Sequence, residues 1–156
     1  MKTIFLDKNP IFDYVHKKIF NETVRRHSIQ LVELIKNGEL RANILEGTIF
    51  SVYNHLNYKL QRPVLKGGKN YESEKAEKEA REFVRDLFKS ESWIIVSLNK
   101  KNIFKALQDE NYDYEDAIQY YGFKKSGCDI FITWNIKHFK EGMTPKRFLM
   151  RYWREK

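Results

Sequence analysis

Two acidic residues stand where they could do chemistry together. Asp7 follows the apolar run Thr3 to Leu6, "TIFL", and Asp116 lies in "DYEDAIQYY", where a helix opens at Asp113 to Asp116. A second apolar run, Ile130 to Thr133, closes on Asn135. Short continuous apolar runs suit strands buried on both faces, as in a parallel sheet, and ligands of open parallel sheets bind beyond the carboxyl ends of the strands. Asp7, Asp116 and Asn135 are thus expected in one crevice, although the chain holds them far apart. Carboxylates from distant segments are hard oxygen ligands of the kind magnesium takes. A cation so held, with open positions, orients a water and absorbs charge on a transferring phosphate, which phosphodiester hydrolysis requires.

The same residues also have a purely structural reading. Asp113 followed by Asp116 resembles a capping pair, the first residue capping the helix and the second complementing its positive end. Asp7 fits that reading less easily, because a carboxylate at a buried strand end needs a partner.

The residues around these positions carry a resemblance. "MKTIFLDKNPIFDYV" resembles the opening segment of PIN-domain proteins, an apolar strand followed by "DTN", and "YEDAIQYYGFKKSGCDIFITWNIKHF" resembles their closing segment. The resemblance implies an acidic pocket that binds Mg2+ or Mn2+ and hydrolyses RNA. It makes Asp7 and Asp116 the metal ligands and catalytic residues. It further implies a metal-dependent endoribonuclease of the type that forms the toxin of a toxin-antitoxin pair, a homodimer, and an antitoxin protein that blocks the pocket. Other positions depart from the family pattern. Lys8 replaces the threonine of "DTN" beside Asn9, Ser51 falls on a helical glutamate, Asn135 keeps an oxygen without a charge, and His138 takes the place of a later aspartate. Lys8, Asn9, Ser51, Asn135 and His138 are therefore expected in a pocket poorer in charge than usual. Losing even a supporting partner costs a metal site about 10 to 100-fold, so the alternative is a catalytically inactive PIN-like module that binds RNA or a protein partner. Lys8 has two readings: pairing with Asp7 in place of a metal, or projecting into solvent. Glu46 and Glu115 are acidic neighbours off the family's ligand positions.

The elements that must position these residues follow from apolar spacing. After Asp7, "NPIFDYVHKKIF" starts a helix with Pro10 in its first turn. Arg25 to Asn37 repeats Ile29, Val32 and Ile35 and stops at Gly38. "LRANIL" reads as a second strand, and Thr48 as the cap of "IFSVYNHLNYKL". "QRPVLKGGKNY" is the least regular stretch. Glu72 to Ser90 carries an apolar stripe through Ala76, Ala80, Phe83, Leu87 and Phe88, with Glu77 and Arg81 spaced as an outer pair. "WIIVSL" is the third strand, "KNIFKAL" a short helix, and "TPKRFLMRYW" a last helix opened by Pro145. Alternating strands and helices predict an α/β fold with a parallel sheet. The resemblance sharpens this to a three-layer sandwich, a central parallel sheet flanked by helices, as one PIN-like domain over residues 1–156.

Composition bounds the rest. The chain has 156 residues, of which 42% are hydrophobic, enough for a real core. Its single cysteine, Cys128, excludes an internal disulfide, reads as a small buried thiol and suits a reducing cytoplasm. No apolar run is long enough for a membrane span. A net charge of +8 favours a polyanionic partner such as RNA. Arg62, Lys66 and Lys69 near the glycine pair are expected to bind RNA. At the C-terminal helix, Phe148, Leu149, Tyr152 and Trp153 are expected to dock on the core, leaving Lys146, Arg147, Arg151 and Arg154 wet. "KGGK" lacks the features of a phosphate-binding loop.

Overall fold

The computed structural model describes residues 2–62 and 72–155. Among these residues five strands form one sheet: β1 (Thr3–Leu6), β2 (Arg41–Leu45), β3 (Trp93–Val96), β4 (Phe131–Ile132) and β5 (Gly142–Met143). They stand in the order β3-β2-β1-β4-β5, and every pair is parallel. Helices α1 (Lys8–Phe20) and α2 (Arg26–Lys36) join β1 to β2, while α3 (Glu46–Gln61) precedes and α4 (Ser73–Phe88) leads into β3. Helices α5 (Lys100–Gln108) and α6 (Tyr114–Ser126) connect β3 to β4, and α7 (Pro145–Arg154) follows β5.

Alternation along each strand splits the core into two layers. Ile4, Leu6, Ala42, Ile44 and Ile132 face α1 to α4 and α7, whose Ile11, Val15, Leu31, Ile35, Val52, Leu56 and Phe148 fill that side. Phe5, Leu45, Val96 and Phe131 face the other way and pack on Phe123 of α6 and Phe139. The result is a three-layer α/β sandwich with the parallel sheet in the middle: the strand pattern predicts the parallel α/β sheet, and the three layers match what the resemblance implies.

Strand order places the functional end. From β1 the chain crosses to β2 and on to β3, then returns over the opposite face to pair β4 with the free side of β1. The carboxyl ends of β1 and β4 therefore form the switch point of the sheet, where crevices open. Backbone bonds from Asp7 N–H to Ile132 O, 2.9 Å, and from Thr133 N–H to Met143 O, 3.0 Å, carry the ladder to this rim.

Three local expectations need correction. Thr48 does not cap α3: the chain passes from β2 into the helix without a loop, Leu45 is the cap position, and Thr48 sits buried inside the first turn. Strand β5, two residues long, adds an element for which the sequence reading had no counterpart. Trp153 is 55% exposed rather than docked, while Phe148, Leu149 and Tyr152 are buried as expected. The stripe of α4 runs through Ala76, Ala80, Val84 and Leu87, with Phe83 and Phe88 at its margins.

Candidate functional site

Asp7 ends β1 and caps α1 in one step. Its Oδ1 accepts from the Lys8 backbone N–H at 2.6 Å, and its Oδ2 accepts from Asn9 Nδ2 at 3.1 Å and from Thr133 Oγ1 at 2.9 Å. The side chain is 4% exposed. Burial pushes its carboxyl pKa up, and the bonds from Thr133, Lys8 N–H and Asn9, with the charge of Lys8, pull back against it. Thr133 is fully buried and does double duty, since its Oγ1 also accepts the Asn135 backbone N–H at 2.9 Å.

A second group of side chains rises from α6. Asp113 caps that helix, its Oδ1 accepting from Asp116 N–H at 2.9 Å, as the capping pattern predicts. Asp116 Oδ2 meets His138 Nδ1 in a direct contact and accepts from Asn135 Nδ2 at 3.4 Å. Asn135 Nδ2 also lies 2.8 Å from His138 Nδ1. One ligand atom from each of Asp113, Asp116 and His138 falls within 4.8 Å of the others. The N-terminus of α6 adds positive partial charge beside these side chains. Thr133 and Asn135 thus bridge Asp7 to Asp116 across the ends of β1 and β4, and the chain-distant acids share one polar network.

The donor set fits a divalent cation. Two carboxylates supply hard oxygen, and an imidazole moves the preference from magnesium towards manganese and its successors. Turning the Asn135 amide end for end would present its oxygen to the same space. Asp7 lies further back, with three hydrogen bonds and little contact with solvent.

The rim is braced from behind. Trp134, between Thr133 and Asn135, donates from Nε1 to Ser28 Oγ at 2.9 Å, and the Arg25 guanidinium lies 4.8 Å from its ring centre. Arg25 forks onto Asp13 at 2.8 and 3.0 Å, and Ser28 donates to the same carboxylate at 2.6 Å.

Lys8 follows neither of its two readings. The chain enters α1 at Lys8, and the side chain swings across the rim to pair with Glu115 of α6. Glu46, in the first turn of α3, accepts from Ser97 Oγ at 2.7 Å. Asn9 joins the network through Asp7. Ser51 lies half-buried on α3, and among the described residues no hydrogen bond ties it to these groups. Arg62 stacks on Tyr58 at the end of α3, 4.2 Å from the ring centre, while Lys66 and Lys69 lie outside the described residues. Cys128 is half-buried, its sulfur accepting from Asn43 Nδ2 at 3.1 Å. Thr133 and the ligand role open to Asp113 escaped the sequence reading. A threonine two places before Asn135 at a strand end was the available sign.

Neither protein-family models nor curated proteins give a match to this chain. No helix among the described residues is long and apolar enough to cross a membrane.

Proposed function

We propose that this chain is a divalent-cation-dependent endoribonuclease, as its resemblance to PIN-domain proteins implies. The observation that supports the reading is the convergence of Asp113, Asp116 and His138 at the switch point of the sheet, linked through Asn135 and Thr133 to Asp7. In this reading Asp116 and Asp113 hold the cation, with His138 and Asn135 beside it. A bound cation supplies an activated water and neutralises charge on the transferring phosphate. The residues of the chain do the rest. Thr133 and Asn9 hold Asp7 in place, Asp7 anchors the β4 rim, and the basic surface that gives the chain its +8 charge draws in RNA. Toxin activity, an antitoxin, a homodimer and a cytoplasmic site belong to the proposal through the resemblance alone.

The test pairs calorimetric titration of manganese with cleavage of a mixed RNA pool. Asp116→Asn should lower cation affinity and cleavage at least 10 to 100-fold, the cost typical of losing support at a metal site. Unchanged cleavage in that variant would sink the proposal.

A second reading has an observation of its own. Asp7 is buried and its pKa is raised, and Lys8 is tied to Glu115, so less charge faces the site than a fully acidic pocket offers. A non-catalytic RNA-binding module fits that economy, and RNA binding that survives Asp116→Asn without any cleavage is its signature.

A further inference from the structure

Beside the acidic cluster a cavity of about 630 Å3 opens, within the range of small-ligand sites. Asp113 and His138 line it, so it is continuous with the candidate cation site. Its apolar wall is Phe131, Phe139 and the ring of Tyr112, which is stacked between Phe139 at 5.6 Å and Tyr120 at 5.1 Å. Those ring faces are already used on one another, so the wall is stiff and offers edges and hydroxyls to an occupant.

The cavity lining carries two carboxylates, Asp113 and Glu141, against two ammonium groups, Lys137 and Lys140, and Asp113 belongs to the candidate cation site. Glu141 is paired with Lys124 at 2.7 Å, whereas Lys137 and Lys140, both exposed on its lining, have no ion-pair partner among the described residues. The half-buried Tyr112 hydroxyl likewise has no hydrogen-bond partner among them. Two free ammonium groups, an unspent hydroxyl donor and an apolar floor match an occupant with a phosphate at one end and a flat heterocycle at the other.

We infer that this cavity is the subsite for the unstacked nucleotide next to the scissile phosphodiester of a single-stranded RNA. Lys137 and Lys140 grip its phosphates, Tyr112 donates to its sugar or base edge, and the base rests on the aromatic wall. This rests on the nuclease reading for the identity of the polymer. A single strand is the natural source, because its bases can be splayed out of the stack into such a recess.

The experiment measures anisotropy of a labelled single-stranded RNA dodecamer without divalent cation, across a salt series. The proteins compared are wild type, a Lys137→Ala/Lys140→Ala double variant, Tyr112→Phe, and a control with Lys75→Ala/Lys78→Ala on the opposite helical layer. Two lost phosphate contacts predict a Kd about 25-fold higher near 0.1 M salt and a salt slope smaller by about 1.4. Tyr112→Phe should weaken binding about fivefold, the worth of one neutral hydrogen bond. Equal losses in the α4 control, or wild-type affinity and slope in the Lys137/Lys140 variant, overturn the subsite. Cleavage is scored separately. RNA cleavage by a Lys137/Lys140 variant that binds normally removes the subsite and keeps the nuclease. Weakened binding in that variant, with no cleavage by the wild type, keeps the subsite and removes the nuclease.

Discussion

Replacing Thr133 by valine isolates the link that joins Asp7 to the β4 rim. The side chain is fully buried, its Oγ1 donating to Asp7 Oδ2 and accepting from Asn135 N–H, each at 2.9 Å. Valine keeps the shape, so the cost is polar rather than a cavity. Two groups lose a partner, each at about 1–3 kcal/mol, and the added methyl returns about 1 kcal/mol of burial. The expected loss is about 1–5 kcal/mol, or a Tm lower by roughly 3–15 °C for a chain of this size. The loss depends on pH. Asp7 has a raised folded pKa, so its contribution to stability is full below its unfolded pKa and is lost as pH rises through the folded one. The Thr133 bond eases that loss by favouring the carboxylate, so Thr133→Val should cost more at about pH 8 than at about pH 4. Urea denaturation at both values reads the difference, and Asp7→Asn should erase most of it. A cost below about 0.5 kcal/mol, or one that ignores pH, refutes the reasoning.

Further outcomes follow from packing and titration. A Cβ at Gly122 would lie 2.6 Å from Leu45 Cδ2, 2.9 Å from its Cγ and 3.1 Å from Phe5 Cζ. Gly122→Ala should therefore destabilise by up to about 2 kcal/mol, overpacking at about 1–3 kcal/mol exceeding a helix-propensity gain of about 1; a more stable variant in urea melts contradicts it. His55 stacks on His16 with their Nε2 atoms 2.8 Å apart, and burial first, then His16 and Lys59, lowers its pKa below 6.5. A lowered folded pKa gives stability that is whole above about pH 6.5 and fades as pH falls through it. Thermal melts from neutral to acid pH should show that decline, and His55→Phe should flatten it.

What the sequence disclosed depended on whether the signal was local. Thr3 to Leu6 and Arg41 to Leu45 read as strands from their mostly buried apolar residues, and Trp93 to Val96 from its β-branched run although Ile94 and Ile95 are exposed at the sheet edge; all three form. Asp113 is a cap because capping is settled within one helical turn. Strand β5 has two residues, one of them glycine, so no alternation could mark it. Lys8 could not be placed from its neighbours, since Glu115 reaches it only after α6 is laid across the sheet. His138 stands beside Asp116 because the turn after β4 folds back, and Thr133 matters for an oxygen that an apolar pattern hides. Thr48 misled because a threonine before an apolar stripe looks like a cap wherever the strand ends, and here strand and helix abut.

The Asp7 to Thr133 bond spans 126 positions of sequence. A ribosome that has just delivered Asp7 must add 126 further residues before the partner hydroxyl exists. Until then the carboxylate lacks its late-arriving neighbours, and the early helices fold beside a rim without its second half. Whatever chemistry this edge performs is consequently withheld from the growing chain and granted only when the fourth strand slots in beside the first.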